Sequence, residues 1–122
     1  MSFDDRIPLR FADPAELRGD EALLWEDGPA ASPVLPPVGA TVARFQRQAL
    51  HRPGCRCCGG RGPAATALAE LFRNRARGQV AWFTGVIAVV GDPAAVAAEL
   101  AADVLVAARF RLDTPGPANT TR

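Results

Sequence analysis

The chain alternates strand-like and helix-like segments, which predicts an α/β domain with a small, mainly parallel sheet and flanking helices. Three observations carry this. Residues 80–90 are apolar on both faces, as a covered central strand must be. Asp92-Pro93 follows directly and reads as a helix start, the order expected of a βαβ-like layer. A second helical pattern opens at Pro63, with Ala64, Leu68, Leu71 and Phe72 on one face. With 122 residues, 48% of them hydrophobic, residues 1–122 fit one domain with a modest core.

Taken in order, Ile7, Leu9 and Phe11 alternate with Pro8, Arg10 and Ala12 in a strand period. Pro8, which lacks an amide hydrogen, suits a strand start or a sheet edge. Asp13-Pro14 with Glu16 reads as an N-cap and capping box, and Gly19 ends that turn. Residues 22–25 form a second short strand. Residues 28–40 contain Pro29, Pro33, Pro36 and Pro37 and read as a Pro-rich loop. Residues 41–52 fit two states: Val42, Phe45 and Ala49 share a helical face, yet tertiary context can draw the segment into a strand. In the Pro63 helix, Arg73, Arg75 and Arg77 lie near the negative end and Gly78 terminates it. Gly85 marks a break or bulge in the strand over 80–90. The helix from Pro93 runs through Val96, Leu100 and Val104, and residues 106–112 are a last helical turn or a strand. Residues 114–122 are polar, with Gly and Pro, and read as a flexible tail.

Composition narrows the function. The formal net charge is +1, which offers no electrostatic case for nucleic acid or an anionic membrane. All 14 cations are arginine, so chemistry that needs an ammonium group is excluded. The uncharged run over 78–91 is shorter than the roughly 20 apolar residues of a spanning helix. Asp4 and Asp5, with no basic stretch before them, argue against a secretory signal, so a cytoplasmic location is expected. Thiols in that compartment are normally reduced, and clustered cysteines there suggest metal or redox work before structural disulfides.

The concentrated chemistry is Cys55-Arg56-Cys57-Cys58, which holds all 3 cysteines of the chain. Thiolates are soft ligands, and zinc favours four of them or a mixture with imidazole. Adjacent cysteines diverge in an extended chain, so convergence on one ion needs the bent backbone that Gly54, Gly59 and Gly60 permit. Arg52, Arg56 and Arg61 favour thiolate over thiol. His51, the single histidine, stands four residues before Cys55 as a candidate fourth ligand, although a lone histidine is more often a surface or capping group. Two other readings of the trio stay open. One is thiol redox chemistry, against which the strain of a Cys57–Cys58 disulfide counts. The other is a set of inert cysteines.

The run Gly54-Cys55-Arg56-Cys57-Cys58 resembles the G-C-x-C-C motif of the CobW-like P-loop GTPases, a family of metallochaperones and cobalt or zinc insertion factors. The order that follows is also similar. The family continues with a helix, a strand, an A-D-P turn, a helix and an A-A-R-F-R-L-D-like segment. Here these fall on 63–77, 80–90, Gly91-Asp92-Pro93, 94–103 and 107–113. The resemblance spans residues 54–113, with fainter echoes of the family's first two strands at 6–9 and 22–28. It implies a shortened P-loop-NTPase-like (Rossmann-like) domain. The family's Walker A loop and full helix have no counterpart over 12–21, and its acidic E-T-T-G segment aligns with Val86-Ile87-Ala88-Val89. What the resemblance implies is therefore a pseudo-GTPase: metal, zinc or cobalt, at Cys55, Cys57 and Cys58, and neither nucleotide nor catalytic residues; His51 joins them as a candidate from its position alone.

Expected partners are a metal ion and a homodimer mate or metallochaperone partner protein, with no nucleic acid and no membrane. The chain stops where the family's next core strand would begin, which predicts an exposed sheet edge and self-association. The rival to metal binding is a non-catalytic interaction module that dimerises or docks on a full-length relative.

Overall fold

The computed structural model describes residues 5–28, 35–46 and 62–113. They form five parallel strands, β1 (Ile7–Phe11), β2 (Glu21–Glu26), β3 (Val42–Phe45), β4 (Gly85–Val89) and β5 (Phe110–Leu112), in the order β3-β2-β4-β1-β5. Three helices accompany them: α1 (Pro63–Ala76), α2 (Pro93–Ala102) and α3 (Val104–Arg109). The sheet of the predicted α/β Rossmann-like class is thus entirely parallel among the described residues.

Side-chain alternation sorts the sheet into two faces. Ile7, Leu9, Ala22, Leu24, Phe45, Val86, Ala88 and Phe110 point one way. There they meet Ala64, Leu68 and Leu71 of α1, Val96 and Leu100 of α2 and Val106 of α3. Leu23, Trp25, Ile87 and Val89 point the other way, where Ala12, Leu17, Ala40 and Val42 pack against them. The register keeps the two sets apart, with Leu23 beside Ile87 and Leu24 beside Ala88.

The connection rule explains the asymmetry. Crossovers between parallel strands are right-handed, so connections running in opposite senses across a sheet must use opposite faces. The β1–β2 and β2–β3 connections run toward the β3 edge, whereas the β3–β4 and β4–β5 connections run toward the β5 edge. The latter two contain all three helices. The β1–β2 connection holds a single 3-10 turn, Pro14–Glu16, and so one face is covered by helices and the other by loop residues. None of the described helices is long and apolar enough to cross a membrane.

Several local expectations are corrected. Pro8 does occur near a strand start, but β1 is an inner strand between β4 and β5. Glu16 does not close a capping box; its carboxylate lies 3.5 Å from Arg10. The turn ends at Leu17, before Gly19. Residues 42–45 take the strand alternative, because β2 offers them a parallel partner; Ala49 lies outside the described residues. The strand expected over 80–90 is confined to Gly85–Val89. Before it, the Thr84 amide donates to Asp20 O at 2.8 Å and Phe83 is drawn into the helix-side core. The helix expected through Val104 breaks at Asp103, whose extended backbone (ψ 114°) and carboxylate cap a new helix at the Val106 amide. Both readings of 106–112 hold in part, since α3 ends at Arg109 and β5 begins at Phe110.

Candidate functional site

All four predicted metal ligands, Cys55, Cys57, Cys58 and His51, lie outside the described residues, as do Arg52, Arg56, Gly59 and Gly60. Their described flanks are Gln46, which follows β3, and Gly62, which precedes α1. The chain leaves β3 at the carboxyl end of the sheet, and α1 makes the return to the amino end of β4. In open parallel sheets, ligand sites gather at that carboxyl end, above all where neighbouring strands send their connections to opposite faces. Here that reversal falls between β1 and β4.

The groups at this end are mostly spent on the fold. Glu26, at the end of β2, is buried and its Oε1 accepts from the Gly91 amide at 2.9 Å, tying β2 to the β4–α2 turn. Asp13, after β1, accepts from the Ala15 amide at 2.9 Å. Asp92, after β4, accepts from the Ala95 amide at 3.1 Å. Asp27 pairs with Arg44 at 3.6 Å. The start of α1 is capped from another helix: Glu99 of α2 places Oε2 2.9 Å from the Ala65 amide. Gly62 makes this possible, because a Cβ there would collide with the Glu99 carboxylate.

These contacts share a consequence for anion binding. A helix start attracts phosphate because its amides are unpaired and carry the positive end of the helix dipole. The 3-10 turn and all three α-helices have a carboxylate on one such amide, from Asp13, Glu99, Asp92 and Asp103 respectively. Each carboxylate occupies a donor and repels a second anion.

The remaining electrostatics lie elsewhere. On the loop-covered face Arg10 donates through Nη2 to Glu21 Oε1 at 3.1 Å and through Nε to Oε2 at 3.2 Å, a forked pair that raises the Arg10 pKa. Arg75 donates through Nε to Phe83 O at 2.8 Å and stands 3.5 Å from the Trp82 ring; burial lowers its pKa. Arg109 lies 4.4 Å over Phe72. Sequence reading found the arginines of α1 only as dipole partners, and it missed Glu26 and Glu99. The Gly62–Glu99 contact joins segments that no local period connects. Among the described residues, no three His, Cys, Asp or Glu side chains come together as a metal site. Comparison of the chain with family models, curated proteins and solved structures returns no match in any of the three.

Proposed function

We propose that this chain is a non-hydrolytic, CobW-like domain that binds or relays a transition metal, zinc or cobalt, through Cys55, Cys57 and Cys58. His51 or a ligand from outside takes the fourth place. The observation that carries the reading is the density of the motif: three thiols in Cys55-Arg56-Cys57-Cys58, set between Gly54 and Gly59-Gly60 and among three arginines. Glycines allow the backbone to bend so that neighbouring thiolates converge, and the arginines ease the deprotonation that metal binding requires. A three-thiolate site leaves a coordination position open, and transfer proceeds by ligand exchange through that position.

Two features support the absence of nucleotide chemistry. There is no lysine to reach a β- or γ-phosphate. The single 3-10 turn after β1 carries Asp13 on its Ala15 amide, where a Walker A loop would present unpaired amides to phosphate. The test is elemental analysis of protein purified without oxygen, parent against the triple variant Cys55→Ser/Cys57→Ser/Cys58→Ser. Stoichiometric metal in the parent and none in the variant supports the reading; equal metal in both, or none in either after zinc loading, removes it.

A further inference from the structure

We propose that the groove between α1 and α3 is a docking site for an acidic protein segment that carries an apolar anchor residue. This surface belongs to the helix layer and is independent of whatever the cysteine motif binds. Ala69, Arg73, Leu105, Val106, Arg109 and Phe110 line a cavity of about 160 Å³. That is well below the roughly 300 Å³ or more of a small-molecule pocket, and it suits one apolar side chain. Leu105 in that lining is 49% exposed, and Val104 beside it on α3 is 81% exposed.

The rim determines the sign of the partner. Arg73 from α1 and Arg109 from α3 converge on the groove, and neither forms an ion pair with a described carboxylate. Stabilisation of helix ends favours Arg73 and Arg75 in the last turn of α1 and Arg109 in the last turn of α3. Helix-end stabilisation does not require the two ends to adjoin, yet Arg73 and Arg109 line the same largely apolar cavity. The guanidinium of Arg109 is held over Phe72, and Phe72 in turn meets Phe110 edge-on at 6.1 Å. A cation positioned in advance loses less entropy on binding a carboxylate, and an arginine fork matches a carboxylate in two contacts. Apolar floor and cationic rim together fit an acidic chain with one aliphatic or aromatic residue seated in the cavity. Single-stranded nucleic acid fits less well, because the one aromatic ring in the groove's lining, Phe110, is buried and offers a base no face to stack on.

The test pans the full-length chain against a displayed library of random short peptides, with counter-selection on Arg73→Glu/Arg109→Glu. Enriched peptides should carry Asp or Glu flanking an apolar residue. A synthetic copy of the strongest should bind the parent saturably by fluorescence anisotropy. Binding should weaken about tenfold or more in the double variant, in Leu105→Ser and in high salt. Arg73 is exposed, so Arg73→Ala retains the fold and should by itself weaken binding severalfold, with far-UV circular dichroism unchanged. Three results overturn the proposal: no enriched peptide, enriched peptides that lack acidic residues or bind the variants equally, and tighter binding of single-stranded oligodeoxythymidine than of any peptide.

Discussion

The two faces of the sheet bury their central residues equally well but by different means. Leu24 and Leu23 are neighbours in β2, and both are fully buried. Leu24 lies under helices, whereas Leu23 lies under Ala12, Leu17, Ala40 and Val42 from connecting segments and the edge strand. Burial fraction alone does not distinguish them. The difference lies in how each cover responds to a lost side chain: helices hold their backbone bonds and leave a cavity, and loops can settle into it.

The sharpest way to break this comparison is to truncate each neighbour in turn. Leu24→Ala should cost toward the upper part of the range of about 2–5 kcal/mol seen for buried leucines, and Leu23→Ala toward the lower part. Urea denaturation of both variants measures the difference. An equal or larger loss for Leu23→Ala would show that the loop-covered face is as rigid as the helical one.

A smaller effect is expected where the helix layer is stitched to itself. Gly62→Ala should push the Glu99 carboxylate off the Ala65 amide, with a loss of about 1 kcal/mol, typical of a missing helix cap. Glu99→Ala removes the same bond. The two losses should therefore fall short of adding when combined, and a double-mutant cycle on thermal unfolding reads that coupling. Full additivity would mean that Gly62 is required for another reason.

The loop side offers the smallest effect. Asp20 is exposed, and its hydrogen bond from the Thr84 hydroxyl at 2.6 Å lowers its pKa below the ordinary 3.8. A depressed carboxylate stabilises the fold above its unfolded pKa, and that contribution is lost as pH falls through the folded value. Thr84→Val should therefore lower stability slightly near neutrality, and the difference from the parent should fade as pH falls below about 4, which leaves the acid limb of the stability profile flatter. An unaltered acid limb would remove this contact from the account.

Local chemistry made much of the fold legible. The alternation of Ile7, Leu9 and Phe11, the covered strand around Ile87 and the Asp-Pro helix starts each depend on neighbours in sequence. What was not legible depends on distant partners. Residues 42–45 became a strand because β2 had a free edge, and the strand before Gly85 was cut short by Asp20, sixty-four positions away from Thr84. The break at Asp103 was hidden because Asp is tolerated within a helical pattern as well as at its start. At the candidate site the residue types and their spacing were legible, since they are a property of sequence alone. The carboxylates that fill the helix starts were only half visible: Asp13 and Asp92 announce themselves beside proline, and Glu99 acts across the fold.

Metal binding by the cysteine motif is the central claim, and competition with a chromogenic zinc chelator tests it most directly. The parent should withhold zinc from the chelator, release protons as it loads, and lose affinity as pH falls, because thiols must ionise to bind. Cys57→Ser or Cys58→Ser should weaken binding strongly, and His51→Ala only slightly if water or a partner completes the site. The triple Cys→Ser variant should not compete at all; if it withholds zinc as well as the parent does, the metal-binding account is wrong.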